Sequence, residues 1–234
     1  MSNLFLVSFI AGSCTVLGAM MLFVKKRWSP RSLAFFLGLA SGVMIAVICF
    51  DMLPSAFISN WKGTFEGIAL GLFCLWACDR LFFKHLSTED SVLGLGYLIM
   101  LGIAMHDLPE GMAIAMGGEM KARTGMLIAL AISLHNIPEG MVIAAPLIAG
   151  GMRRSAIALR LLAIAFITPL GTVAGKLLVS ILPGLLGVML GFASGVMAYL
   201  VVFHLWPQGA KKGNRSRWLG FWTGVLIILA ATFI

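Results

Sequence analysis

The chain has 234 residues, of which 60% are hydrophobic and 11% are charged. A soluble domain carries about a quarter charged residues, so the composition excludes an ordinary water-soluble fold. The net charge of +8 does not indicate nucleic-acid binding, because the basic residues lie between apolar runs and form no aromatic-interleaved patch.

Apolar runs of roughly 20 residues, the length that crosses a hydrocarbon layer of ~30 Å, recur along the whole chain. They predict an all-α membrane protein in which residues 1–234 form a single transmembrane domain of eight helices. The connections are too short to hold an extramembrane domain. The predicted spans are residues 4–24, 33–57, 63–83, 93–117, 124–149, 156–179, 183–206 and 217–234.

The basic residues alternate between the gaps that separate these spans. The first, third, fifth and seventh gaps with their flanks hold 13 of the 17 Lys and Arg residues. By the positive-inside rule these gaps are cytoplasmic, which predicts that both termini lie outside the cell membrane. The expected surroundings are the lipid bilayer, with no nucleic-acid partner.

A first internal repeat joins the second and seventh spans. Residues 40–54, ASGVMIAVICFDMLP, match residues 193–207, ASGVMAYLVVFHLWP, at an offset of 153 residues. The two spans run in opposite directions, and shared sequence in opposed orientation is typical of an inverted repeat. Asp51 and His204 occupy equivalent places one turn before a proline. They are interpreted either as gate or entry residues near opposite membrane faces or as capping groups near a helix end.

A second repeat lies in the fourth and fifth spans, where HDLPEG at 106–111 matches HNIPEG at 135–140. His at position i and Glu at i+4 share one helical face. Ionisable groups at mid-bilayer cost about 2.5–3.5 kcal/mol each, and neither helix core holds a Lys or Arg to compensate. Imidazole and carboxylate ligands suit Zn²⁺, Fe²⁺ and Mn²⁺. The two copies therefore predict a divalent-metal site formed by His106, Glu110, His135 and Glu139.

The remaining residues of the two motifs affect the helix backbone. Pro109 and Pro138 lack an amide hydrogen and predict a kink one turn after each histidine. Gly111 and Gly140 predict the close approach of a neighbouring helix.

On these motifs, with ASGVM at 40–44 as support, the sequence resembles the ZIP (Zrt/Irt-like) metal transporters, particularly their compact bacterial members. The resemblance implies a 3+2+3 arrangement of eight helices and uptake of zinc, or of iron, manganese, cobalt or cadmium, into the cytoplasm. The metal is then a transported substrate, and no cofactor is expected. The implied ligands are His106, Glu110, His135 and Glu139, with Asp107 and Asn136 as neighbouring or second-site ligands and Met44 as a thioether.

Three departures from the family pattern stand out. Thr168 replaces a glutamate that many relatives carry in the sixth span, which predicts one well-made site and a weaker second one. Asp107 replaces a common asparagine. The loop between the third and fourth spans has about nine residues with His85 as its one histidine, which argues against metal sensing by that loop.

Two alternative functions use the same residues. An intramembrane metalloenzyme would need an H-E-x-x-H frame, or Glu-x-x-His pairs with further glutamates, and the sequence has neither. A haem-binding redox protein would use His106 and His135 as axial ligands, but the paired glutamates do not suit an apolar macrocycle. The small residues on the helix faces permit a homodimer.

Overall fold

In the computed structural model, residues 2–25, 28–83, 92–178, 181–182 and 184–232 are described, and the regular structure among them is helical throughout. This confirms the all-α class. The predicted loop that holds His85 lies outside the described residues. The helices are α1 (Ser2–Leu22), α2 (Pro30–Val47), α3 (Leu53–Cys78), α4 (Val92–Met120), α5 (Ala122–Ala149), α6 (Arg154–Ala165), α7 (Ile167–Leu178), α8 (Leu185–Tyr199), α9 (Trp206–Lys212) and α10 (Asn214–Thr232), with π-helical turns at Ile48–Met52, Asp79–Phe83 and Leu200–Leu205.

The molecule exposes a largely apolar surface and buries a group of ionisable side chains in its interior. Large apolar side chains such as Trp61, Phe73 and Leu130 are more than half exposed, whereas His106, Asp107 and Glu139 are fully buried. Water does not tolerate an apolar surface of this extent, but a lipid bilayer does. The described chain holds six helices that are long and apolar enough to cross a membrane.

Two features account for the difference between these six helices and the eight predicted spans. Residues Pro30–Phe82 count as one helix of 53 residues, although Asn60 within it is non-helical with φ −162° and ψ 91°. The Asn60 side chain accepts a hydrogen bond from the Gly63 amide at 3.0 Å, as a residue that begins a helix does. The other feature is α10, which is absent from the six; Arg215 and Arg217 in its first turn lower its hydropathy.

The connection between α4 and α5 brings the two H-x-x-P-E-G copies to the same depth. Lys121, the single residue between these helices, is extended with φ −155° and ψ 136°. His106 precedes Lys121 by 15 residues and His135 follows it by 14 residues. At 1.5 Å per residue, both histidines therefore lie about 21 Å along their helices from the turn.

The main helix pairs of one half of the molecule have counterparts in the other half. α4 packs on α5, and the most extensive other contact of each helix is with α7 for α4 and with α1 for α5. In the rest of the molecule α3 packs on α8, and α2 packs on α10. Exchanging α1 with α7, α2 with α8, α3 with α10 and α4 with α5 reproduces these five main pairs.

Candidate metal site

Histidine and glutamate side chains from α4 and α5 meet in crossed pairs. The His106 Nε2 atom lies 3.3 Å from both carboxylate oxygens of Glu139, and His135 Nε2 lies 3.1 Å from Glu110 Oε1. Within one helix the contact is longer, at 3.9 Å between His106 Nε2 and Glu110 Oε1. The helices therefore pair each histidine with the glutamate of the other copy, and all four side chains are at most 2% exposed.

A backbone carbonyl fixes the orientation of the His106 ring. The His106 Nδ1 atom lies 3.1 Å from the Gly102 carbonyl oxygen, and because a carbonyl only accepts, Nδ1 carries the hydrogen and donates it. In neutral imidazole the Nε2 atom is then an acceptor with its lone pair toward the carboxylates. Several acceptors that converge in a buried space favour a cation between them, and this second hydrogen bond is typical of metal-binding histidines.

The Asp107 carboxylate adds a third acid beside the crossed pairs. Its Oδ1 atom lies 3.7 Å from His106 Nε2, and neither Asp107 oxygen accepts a hydrogen bond from any described residue. Glu110 Oε2 is equally without a described partner. One ligand atom from each of His106, Asp107 and Glu110 falls within 4.8 Å of the others, a spacing that a single metal ion can bridge.

The other implied ligands occupy different surroundings. The Asn136 amide donates to the Ala11 carbonyl of α1 at 3.0 Å, while its Oδ1 atom has no described partner. Thr168 is fully buried and its hydroxyl is likewise unpartnered among the described residues. Met44 is fully buried in the main hydrophobic core cluster.

Two glycines set the distance of the helices that flank the site. A Cβ atom built at Gly111 would overlap the Thr168 carbonyl oxygen of α7, and one built at Gly140 would overlap the Thr15 carbonyl oxygen of α1. This confirms the predicted close approach at both glycines. The helical assignment of α4 and α5 continues through Pro109 and Pro138, so these prolines do not break their helices.

A cavity of about 340 Å³ leads to the site from the end of the molecule where α4 meets α5. We call it the vestibule; Glu110 and His135 line its inner part, and Met116 and Thr124 line its outer part. The opposite wall comes from the π-helical turn Ile48–Met52 and the start of α3, and includes Asp51 and Ser55. The vestibule thus connects Glu110 and His135 of the candidate metal site to the surface of the protein.

A polar cluster that the sequence did not predict lies at the ends of α3 and α8. Asp79 accepts a hydrogen bond from the Tyr199 hydroxyl at 2.8 Å and lies 3.0 Å from His204 Nε2. The signal for it was an aspartate at the end of an apolar span, on the side of the membrane that the charge pattern predicts to be cytoplasmic. Asp51 and His204 therefore differ: one faces a cavity, and the other is paired.

Comparisons with known proteins indicate which family shares this sequence. The sequence pattern of the family described as "ZIP Zinc transporter" matches residues 83–232. The zinc transporter ZupT of Escherichia fergusonii is 31% identical over 228 residues, which covers 88% of this chain and 86% of the relative. Zinc transporters ZupT of Escherichia coli O7:K1 and of Enterobacter sp. strain 638 are each 30% identical over the same shares.

These matches cover most of the chain and include both copies of the motif. They confirm the family that the H-x-x-P-E-G repeats predicted, and they point to a multi-pass membrane transporter rather than an enzyme. The protein belongs to the ZIP zinc transporter family.

Proposed function

We propose that this protein carries divalent metal cations, with zinc as the first candidate, across the cell membrane into the cytoplasm. The observation that supports this most strongly is the crossed pairing of His106 with Glu139 and of His135 with Glu110 in the buried centre of a membrane protein. The relatives named as zinc transporters support zinc as the substrate. The metal is cargo rather than a resident cofactor.

In this proposal the four crossed side chains hold the metal. Two imidazole nitrogens and two carboxylate oxygens can complete a tetrahedral zinc site or leave a position for water. Asp107 lies close enough to contribute a further oxygen, and Asn136 and Thr168 offer only neutral oxygens nearby. A second metal site would therefore be weaker than the first. The thioether of Met44 stays a prediction.

For the architecture we propose eight crossings in a 3+2+3 inverted repeat, with both termini outside. The exchange symmetry of the helix neighbours supports the repeat, as do the π-helical turns at Ile48–Met52 and Leu200–Leu205, which fall in the two copies of the first sequence repeat. The non-helical Asn60 supports two crossings within Pro30–Phe82. A homodimer through small-residue helix faces stays a prediction.

With this orientation the vestibule opens to the outside and the paired cluster of Asp79, Tyr199 and His204 lies on the cytoplasmic side. The structure would then be a state that accepts metal from outside. Inverted repeats support alternating access, because the two halves can exchange conformations around a fixed central site.

Uptake of radioactive zinc into proteoliposomes tests the proposal. We expect saturable uptake by the parent protein and none above empty liposomes for the double variant His106→Ala, Glu139→Ala. Glu119→Gln is the matched control, because Glu119 lies on the same helix but pairs with Lys176 at 3.4 Å, away from the site. Parental uptake by the double variant would contradict the site, and competition by Fe²⁺, Mn²⁺, Co²⁺ and Cd²⁺ would rank the substrates.

A further inference from the structure

The vestibule has one acidic group that the metal site does not use. Asp51 lines the wall opposite α4, while Glu110 and His135 lie deeper in the same cavity. Among the described residues of the lining, Asp51 and Glu110 are the acidic ones, and none is Lys or Arg. The described lining of the cavity therefore carries a formal negative charge.

The position of Asp51 in its helix argues against a capping role. It lies within the π-helical turn Ile48–Met52, and the residues on both sides of that turn, Val47 and Leu53, keep helical φ and ψ angles. The helix that follows begins without a side-chain capping hydrogen bond. π-helical turns inserted in α-helices occur frequently at functional sites, where they reorient a side chain.

The Asp51 carboxylate has no hydrogen-bond partner among the described residues, unlike His204, which occupies the equivalent place in the repeat. Asp51 is exposed to the cavity, and no described residue forms a hydrogen bond or ion pair with its side chain. His204, at the equivalent place one turn before Pro207, is held by Asp79. An unpaired carboxylate in a cavity with low-dielectric walls attracts cations, because such walls focus its field along the cavity.

We propose that Asp51 is a substrate-capture residue, which attracts the hydrated metal ion into the vestibule and passes it to Glu110 and His135. This rests on the proposed function and adds to it a residue that determines the apparent affinity for the metal. The four central side chains determine whether metal crosses at all. Asp51 determines the concentration of metal at which crossing begins to saturate.

The kinetics of zinc uptake in proteoliposomes separate the two roles. For Asp51→Asn we expect KM to rise about fivefold at low ionic strength with an unchanged maximal rate, since a charge that steers the ion changes capture and not the later steps. The effect should fall below about twofold at 0.5 M salt, where the screening length is only a few ångströms. Glu119→Gln removes an acid on the far side of α4, outside the vestibule, and should leave KM unchanged.

Relocating the charge distinguishes capture from a structural role. Ser55 lies four residues after Asp51 and lines the same cavity, so the double variant Asp51→Asn, Ser55→Asp returns one carboxylate to the vestibule. We expect KM to return to within about twofold of the parent value, because the field of the cavity depends on the charge more than on its attachment point. Elution of each detergent-solubilised variant as a single parental peak verifies folding.

Three outcomes overturn the inference. They are an unchanged KM in Asp51→Asn, a raised KM that does not respond to salt, and a raised KM that Ser55→Asp fails to restore. Failure of the proposed function looks different, because the parent protein itself would then take up no zinc. A parent that transports zinc, with an Asp51→Asn variant that matches Glu119→Gln in every kinetic constant, refutes the capture role alone.

Discussion

The two copies of the central motif share a backbone frame but differ in their second residue. In the α4 copy the Asp107 carboxylate lies 3.7 Å from His106 Nε2 and has no hydrogen-bond partner among the described residues. In the α5 copy the Asn136 amide donates to the Ala11 carbonyl and so connects α5 to α1. One copy adds negative charge beside the site, and the other adds a helix contact. Two copies of one sequence motif thus differ in the charge that they place beside the candidate site.

The largest effect should come from the residues that the two copies share. His106→Ala and His135→Ala each remove one imidazole, and we expect each to lower zinc affinity by at least about 100-fold, above the 10–100-fold typical of residues that only support a ligand. Isothermal titration of the purified protein measures this. A loss confined to one histidine would show that the crossed pairs do not act as equals.

The glycines of the two copies should show the next largest effect, and again an equal one. Gly111→Ala and Gly140→Ala place a Cβ atom against the carbonyl oxygens of Thr168 and Thr15. Overpacking of this kind costs about 1–3 kcal/mol, so we expect a clearly lower thermal unfolding temperature for both variants. Gly151→Ala is an unsuitable control because Gly151 has φ 85°. Ala198→Ser, outside the site, serves as the control instead. A glycine variant with the same thermal unfolding temperature as Ala198→Ser would contradict this prediction.

Substitutions at the second residue of each motif, Asp107 and Asn136, should have different effects in the two copies. Asp107→Asn removes the added charge, and we expect zinc affinity to fall about tenfold, or about 1.4 kcal/mol, with unchanged thermal stability. Asn136→Asp replaces the donor to the Ala11 carbonyl with an acceptor, and the unsatisfied buried group should cost about 1–3 kcal/mol of stability. Thermal unfolding and zinc titration on both variants test the contrast, which equal responses would contradict.

The smallest effect concerns a hydroxyl that supports the α4 copy. Thr172 Oγ1 lies 3.0 Å from the Gly111 carbonyl and 3.1 Å from the Thr168 carbonyl. Thr172→Val should cost about 1 kcal/mol, the usual net contribution of one hydrogen bond, and leave zinc binding intact. Thr223→Val is the matched control, since Thr223 makes a similar bond to Leu219 on an exposed face of α10. A Thr172→Val variant as stable as the Thr223→Val control would show that the Thr172 hydroxyl does not stabilise α4.

Much of this arrangement could be predicted from the sequence, because the membrane imposes strong constraints. Buried acids in a bilayer without a Lys or Arg beside them have few explanations, so His106, Glu110, His135 and Glu139 could be proposed as ligands from their spacing. The family was predicted correctly from the paired motifs, and the close approach at Gly111 and Gly140 from the small size of glycine.

Other features depend on contacts between distant segments and could not be predicted. The periodicity places His106 and Glu110 on one helical face, but it does not show that His106 pairs more closely with Glu139 of α5. The pairing of Asp79 with His204, at a separation of 125 residues, depends on how α3 packs against α8. The break at Asn60, by contrast, lies in the gap between the predicted spans 33–57 and 63–83.

X-ray absorption spectroscopy of the zinc-loaded protein tests the central claim most directly, because it reports the atoms bound to the metal. Crossed His and Glu pairs predict two imidazole nitrogens with further oxygen ligands at about 2.0–2.2 Å, and one imidazole fewer in the His135→Ala variant. A first shell with sulfur at about 2.3 Å in place of the imidazoles, or one that His135→Ala leaves unchanged, would contradict the account.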